Sequence, residues 1–247
     1  MSIRSIGKHA HRAKGLLLLA LLGASCADTG ADVAPPTPDA LEGIEVFDSE
    51  ATMIASLAAE RDTLVSLPKL KREELPVLTL REAITKLEEA RKVAPYAQSL
   101  CPTTWGVIRS EANSSYVSAE AGFTGNYYGM LRARRPAVGE NGTWEHFKFC
   151  TSGGAYVIFA SATGKWVSAE KDFFGTDSGM LRARADEIGA WEKFDIRHFN
   201  GQGYYALRAQ ANGKYVSVEL DEGNHAGDRW AMLRARADVV DPWERLY

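Results

Sequence analysis

Residues 116–134 read YVSAEAGFTGNYYGMLRAR, and the chain repeats the phrase as WVSAEKDFFGTDSGMLRAR at 166–184 and as YVSVELDEGNHAGDRWAMLRAR at 215–236. The VS[AV]E tetrads begin at Val117, Val167 and Val216, and the MLRAR pentads at Met130, Met180 and Met232. Each copy closes on a Trp-Glu pair: Trp144-Glu145, Trp191-Glu192 and Trp243-Glu244. Each opens on a short apolar run, WGVIRSE from Trp105, AYVIFAS from Ala155 and YYALRAQ from Tyr204. A unit thus reads strand, turn, YVSAE strand, variable loop, MLRAR strand, turn, WEKF strand. Self-similarity of this kind sets the architecture before any local signal does.

Four short strands per unit, with turns such as Ala211-Asn212-Gly213, exclude helical solenoids. A propeller normally needs four or more blades. Three units suggest a barrel closed by a threefold hairpin cap, so the predicted class is all-β, a twelve-stranded β-trefoil over residues 101–247. Within it the period of two turns Val117, Ala119, Leu131 and Ala133 one way and Ser118, Glu120, Arg132 and Arg134 the other.

The phrases NGKYVS[AV]E, LRARA and WE[KR] resemble the fascin-like β-trefoil family, whose repeats run Y-[LV]-S-A-E, L-x-A-x-R and W-E-x-F. The resemblance covers residues 101–247 and is strongest in the second unit. It implies a trefoil that engages a protein partner, since fascin crosslinks filaments. Fascin itself joins several trefoils and meets actin in the cytosol, whereas here one trefoil follows an export signal. The Gln-x-Trp signature of ricin-type trefoils is absent, because none of Gln98, Gln202 and Gln210 has Trp two residues on.

Ahead of the repeats, residues 1–26 carry a basic stretch (Arg4, Lys8, Arg12, Lys14), a short apolar run and LLGASC. The run is too short to span a bilayer. The segment resembles a bacterial lipoprotein signal with Cys26 as the acylated residue, although Gly23 stands where that pattern has Leu. Export to the cell envelope is expected, with simple secretion as the alternative. Residues 27–46, acidic and containing Pro35, Pro36 and Pro38, read as a spacer. In residues 47–97 one helix is expected from about Asp48 to Val65. A second starts at TLRE, where Thr79 and Glu82 suit a capping box, and stops near Pro95. This helical segment reads as a stalk or lid, so a fragment from Ser99 is expected to fold without it.

With Cys26 lipidated, Cys101 and Cys150 remain, and an exported chain is expected to pair them. They lie at the start and end of neighbouring antiparallel strands of unit one, and the 49-residue loop would contribute about 4 kcal/mol in the chain-entropy model.

The net charge of −3 gives no large field of either sign, so neither nucleic acid nor an anionic membrane surface is indicated; the membrane is met only through the lipid. His146, His198 and His225 lack metal spacing or a Ser/Asp constellation, and no phosphate loop appears. No cofactor, no metal and no catalysis are expected. The repeated arginines could form anion pockets, but equal numbers of arginine and glutamate favour pairing within each unit. The repeated Trp residues are expected in the core or cap. What differs between units is the central loop, with Phe123, Tyr127 and Tyr128, then Asp172, Phe173, Phe174 and Asp177, then Asn224, Asp228 and Trp230. Flat rings beside planar polar groups suit a glycan or polysaccharide. The candidate site is Phe123, Tyr127, Tyr128, Asp172, Phe173, Phe174, Asp177 and Trp230, and Phe173-Phe174 leads because two adjacent rings in a glycine-bounded loop cannot easily both point inward.

Overall fold

Each VS[AV]E…MLRAR phrase folds as an antiparallel hairpin in the computed structural model, which describes residues 41–67, 75–139, 143–199, 202–221 and 229–247. The hairpins are β5 (Tyr116–Glu120) with β6 (Met130–Arg135), β9 (Lys165–Glu170) with β10 (Met180–Ala185), and β13 (Tyr215–Glu219) with β14 (Met232–Ala237). Their inner strands pair with one another in a closed triangle: Met130 opposite Arg182, Met180 opposite Arg234, Met232 opposite Arg132. The cyclic pattern is carried by backbone bonds from Ala183, Ala235 and Ala133 to the carbonyls of Gly129, Gly179 and Ala231.

Below this cap lies the barrel. β4 (Gly106–Val107) pairs with β7 (Phe147–Ser152), β7 with β8 (Ala155–Ala160), β8 with β11 (Phe194–His198) and β11 with β12 (Tyr205–Ala209). Leu246 bridges both Tyr205 and Ser110, which closes the ring. The pairings define a β-trefoil. The twelfth strand differs from expectation: Pro242–Glu244 forms a 3-10 turn, and only Leu246 joins the ladder. Proline cannot donate to a ladder, and Asp241 and Glu244 cap the turn reciprocally.

Val117, Ala119, Leu131, Ala133 and their counterparts all sit in the central core. Ser118, Glu120 and Arg132, on the opposite face, are buried as well. The hairpins are therefore enclosed on both sides, the outer one by the loop of the neighbouring repeat.

Three positions end the variable loops with a left-handed residue. Gly129 and Gly179 have φ +73° and +78°, and a Cβ there would lie 2.4 and 2.5 Å from the carbonyl oxygens of Ala183 and Ala235. In repeat three the position is Ala231, with φ +61°. Such a backbone costs an L residue roughly 1–2 kcal/mol, part of which Gly returns as unfolded-state entropy. Ala231→Gly is therefore expected to raise stability by about 1 kcal/mol, read as a higher urea midpoint at unchanged slope; a lower midpoint would show that the methyl group packs usefully.

Cys101 and Cys150 are disulfide-bonded with Cα atoms 4.3 Å apart. They are adjacent because β3 (Ser99–Pro102) pairs with β7 in the register Leu100 opposite Thr151.

The helical segment is part of this core. α1 (Glu50–Ser66), capped by Ser49, lays Met53, Leu57 and Leu64 over the disulfide, Phe159 and Trp166. α2 (Leu80–Val93) starts at the Thr79–Glu82 capping box read from the sequence. It buries Leu80, Ala83, Ile84, Leu87 and Ala90 in the same cluster as the barrel residues. Arg91 and Arg81 bond the carbonyls of Gly154 and Gly203, so α2 lies across the barrel end formed by the inter-repeat turns. β1 (Ile44–Phe47) adds an outer strand to β3, and the two-residue β2 (Leu78–Thr79) pairs with β4. A dispensable lid is not what this packing describes.

No helix among the described residues is long and apolar enough to cross a membrane. Cys26, the signal segment, residues 27–40, Asn224, His225 and Asp228 lie outside the described residues.

Candidate functional site

The variable loops meet on the threefold axis. Met130, Met180 and Met232 are fully buried there and form one cluster, against which Phe123, Tyr127 and Phe173 pack. Thioethers fill such an irregular gap well. Three residues before each methionine stand Tyr127, Asp177 and Arg229. They are one position of the repeat and three complementary groups: Arg229 donates to the Tyr127 hydroxyl at 2.7 Å and pairs with Asp177 at 3.1 Å. A symmetric axis would force three identical side chains together; this sequence places donor, acceptor and bridge instead.

The repeated arginines divide into two sets. Arg134, Arg184 and Arg236 bond Glu120, Glu170 and Glu219 of their own hairpins, which lifts the guanidinium pKa of Arg134 and Arg184 further. Arg132, Arg182 and Arg234 reach into the neighbouring repeat, to the carbonyls of Trp230, Tyr128 and Ser178. Within-unit pairing thus holds for the first set, while the second joins the units, Arg234 also standing 3.9 Å from Glu219 of its own hairpin. The glutamates of the Trp-Glu pairs have another task. Glu145, Glu192 and Glu244 accept the backbone amides of Gly139, Gly189 and Asp241. Burial raises the Glu145 carboxyl above the usual carboxylate range, opposed by that amide and by Arg135.

Most of the sequence-predicted site residues are engaged in building the cap. Phe123 and Phe173 lie half-buried under Arg132 and Arg182, at 5.9 and 5.6 Å from centroid to guanidinium. Tyr127 and Asp177 belong to the axial network, Tyr128 gives its carbonyl to Arg182, and Trp230 packs on the central core. Phe174 and Asp172 remain at the surface. Phe174 is 94% exposed, and Asp172 pairs with Lys171 at 2.9 Å. The loop holding them is fixed at both ends, by Phe173 in the methionine cluster and by Asp177 on Arg229. Gly175, at φ +61° with open space around it, turns the chain immediately after Phe174.

Sequence reasoning placed Trp144, Trp191 and Trp243 in the core or cap, but each is only half-buried. Lys171, which lies over the Trp191 ring at 5.4 Å, was missed altogether. Aligning the repeats at VS[AV]E puts Lys171, Ala121 and Leu220 in one column, and that difference was a legible signal.

Among the described residues no group of three or more His, Cys, Asp or Glu could hold a metal ion. No protein-family model and no curated protein matches the chain. Among solved structures it is similar to ThreeFoil, a designed threefold-symmetric protein, at 15% identity and TM-score 0.44 over 57% of this chain and 94% of that one. A GlcNAcα1-4Gal-releasing endo-β-galactosidase from Clostridium perfringens matches at 8% identity and TM-score 0.42, over 58% of this chain and 31% of the enzyme. A Caenorhabditis elegans protein of unknown function matches at 13% and 0.43, over 57% and 89%.

Proposed function

We propose that the trefoil is a non-catalytic carbohydrate-binding module, with the second-repeat loop as its contact surface. One observation carries this reading: Phe174 is held almost wholly in solvent by a loop whose neighbours on both sides are anchored. A large ring kept in water gains by stacking on the apolar face of a sugar. A preformed loop also loses little entropy on binding. Asp172 and Lys171 beside it supply an acceptor and a donor for hydroxyl groups. We place the protein outside the cytosol, anchored through an acylated Cys26, on the strength of LLGASC after a basic segment.

The test is a pair of neighbouring substitutions against a polysaccharide and glycan screen. Phe174→Ala is expected to weaken binding at least about tenfold while the melting temperature stays within about 1 °C, as for an exposed site. Phe173→Ala is expected to cost about 2 kcal/mol, because that ring fills the space beside the methionines. Undiminished binding by Phe174→Ala, or a screen that stays blank, would sink the reading. The fascin-like repeat phrases support a protein partner instead, and co-sedimentation with F-actin distinguishes the two.

A further inference from the structure

We infer that the third repeat carries a binding site for an organic cation on Trp243, a requirement that repeats one and two meet with side chains of their own. Trp144, Trp191 and Trp243 occupy one repeat position, each half-buried and each followed by a buried glutamate. Arg135 lies over the Trp144 ring at 5.1 Å, and Lys171 over the Trp191 ring at 5.4 Å. Both are within the range at which the ring quadrupole attracts a cation. Over Trp243 there is no cation among the described residues.

The reason is visible in the repeats. The residue after VS[AV]E is Lys171 in repeat two and Leu220 in repeat three; the residue after MLRAR is Arg135 in repeat one and Ala237 in repeat three. Repeat three has thus lost both positions from which a cation is supplied. The acidic residue that follows this position is retained in the sequence. Asp172, which pairs with Lys171 at 2.9 Å, corresponds to Asp221, and Asp221 is exposed. At Trp243 the surface forms a concavity of about 370 Å³ lined by Asp241, Pro242, Trp243 and Glu244. An aromatic ring, the acidic residues Asp241 and Glu244 and open space coincide where no described residue supplies a cation.

The chemistry that fits is an alkylammonium, quaternary ammonium or guanidinium group. It can come from a free small molecule or from a basic side chain. This site is separate from the Phe174 surface, and neither reading depends on the other.

The full chain would be titrated with choline and with N-acetyl-lysine methylamide, following the Trp243 indole resonance assigned by Trp243→Phe. The uncharged isostere of choline, 3,3-dimethylbutan-1-ol, is the control. A saturable shift is expected with a cation and at least roughly threefold weaker binding of the neutral compound. Response to choline assigns a free quaternary ammonium; response to the lysine derivative alone assigns a basic side chain. Leu220→Lys installs the repeat-two cation and is expected to abolish the shift. Lys171→Leu is expected to open the same site at Trp191 and add a second saturable shift there. No response from Trp243 to either cation, equal binding of the neutral compound, or an unchanged shift in Leu220→Lys would overturn the inference. Phe174→Ala should leave the shift intact.

Discussion

A fragment beginning at Ser99 is expected not to fold, although it contains all three repeats. Removing the preceding segment strips Leu80, Ile84 and Leu87 from the barrel core and Met53, Leu57 and Leu64 from the cluster over the disulfide. At about 2 kcal/mol for each large apolar side chain, the loss is on the order of 10 kcal/mol, comparable to the whole stability of a domain. It also leaves β3 as an exposed edge, since Ile44–Phe47 no longer pairs with Ser99–Pro102. The fragment should appear in inclusion bodies, or as a species lacking a cooperative thermal transition, while the chain from Leu41 melts cooperatively. A cooperative β-rich fragment melting within a few degrees of the longer chain would show that the helices are peripheral after all.

That prediction reverses the reading of the helices as a lid, and the reason shows what the sequence discloses. The repeats alone carry the trefoil, because three copies of one phrase must occupy three equivalent places. They also carry the inward set headed by Val117 and Leu131, since a period of two assigns faces directly. Helix α2 was legible as an element, with its capping box and its stripe of Leu80, Ile84 and Leu87. Its destination was not, because an apolar stripe says only that something is covered. That one ring of the Phe173-Phe174 pair stays exposed was legible, and it is Phe174, whose neighbour takes the inward place. It was not legible at Tyr127 and Asp177, which read as ligand-binding groups until Arg229 is seen to hold both. Complementarity across an axis appears only when one column of the repeats is read as three side chains that touch.

Lys148 is the clearest case of a residue whose surroundings its own strand misstates, and it sets the remaining prediction. In FKFCTS the rings of Phe147 and Phe149 point into the barrel, so Lys148 reads as a solvent-facing lysine. Helix α1 covers that face, and the lysine side chain has no exposure. Its ammonium donates to the carbonyls of Pro102 and Thr103 at 2.9 and 2.7 Å and to Glu60 at 2.5 Å, with the Trp105 ring 5.2 Å away. Burial lowers the lysine pKa and raises that of Glu60, each against the pull of its partner, so desolvation outweighs attraction on both sides. The signs are definite. The Glu60 contribution favours the folded state below the ordinary carboxylate range and is lost as pH rises through its raised value. The Lys148 contribution is present above the ordinary lysine range and is lost as pH falls through its lowered value. Glu60→Leu leaves the buried lysine its two carbonyl acceptors but removes the carboxylate paired with it, Glu45 acting only without a direct contact, and is expected to cost about 3–5 kcal/mol. The double substitution Glu60→Leu with Lys148→Met removes both charges and should restore most of that loss, or exceed the parent. Urea unfolding of the four proteins in a double-mutant cycle measures the coupling. A double variant no more stable than Glu60→Leu alone would show that the ammonium is needed to hold the Pro102–Thr103 turn, and that the pair stabilises this fold rather than taxing it.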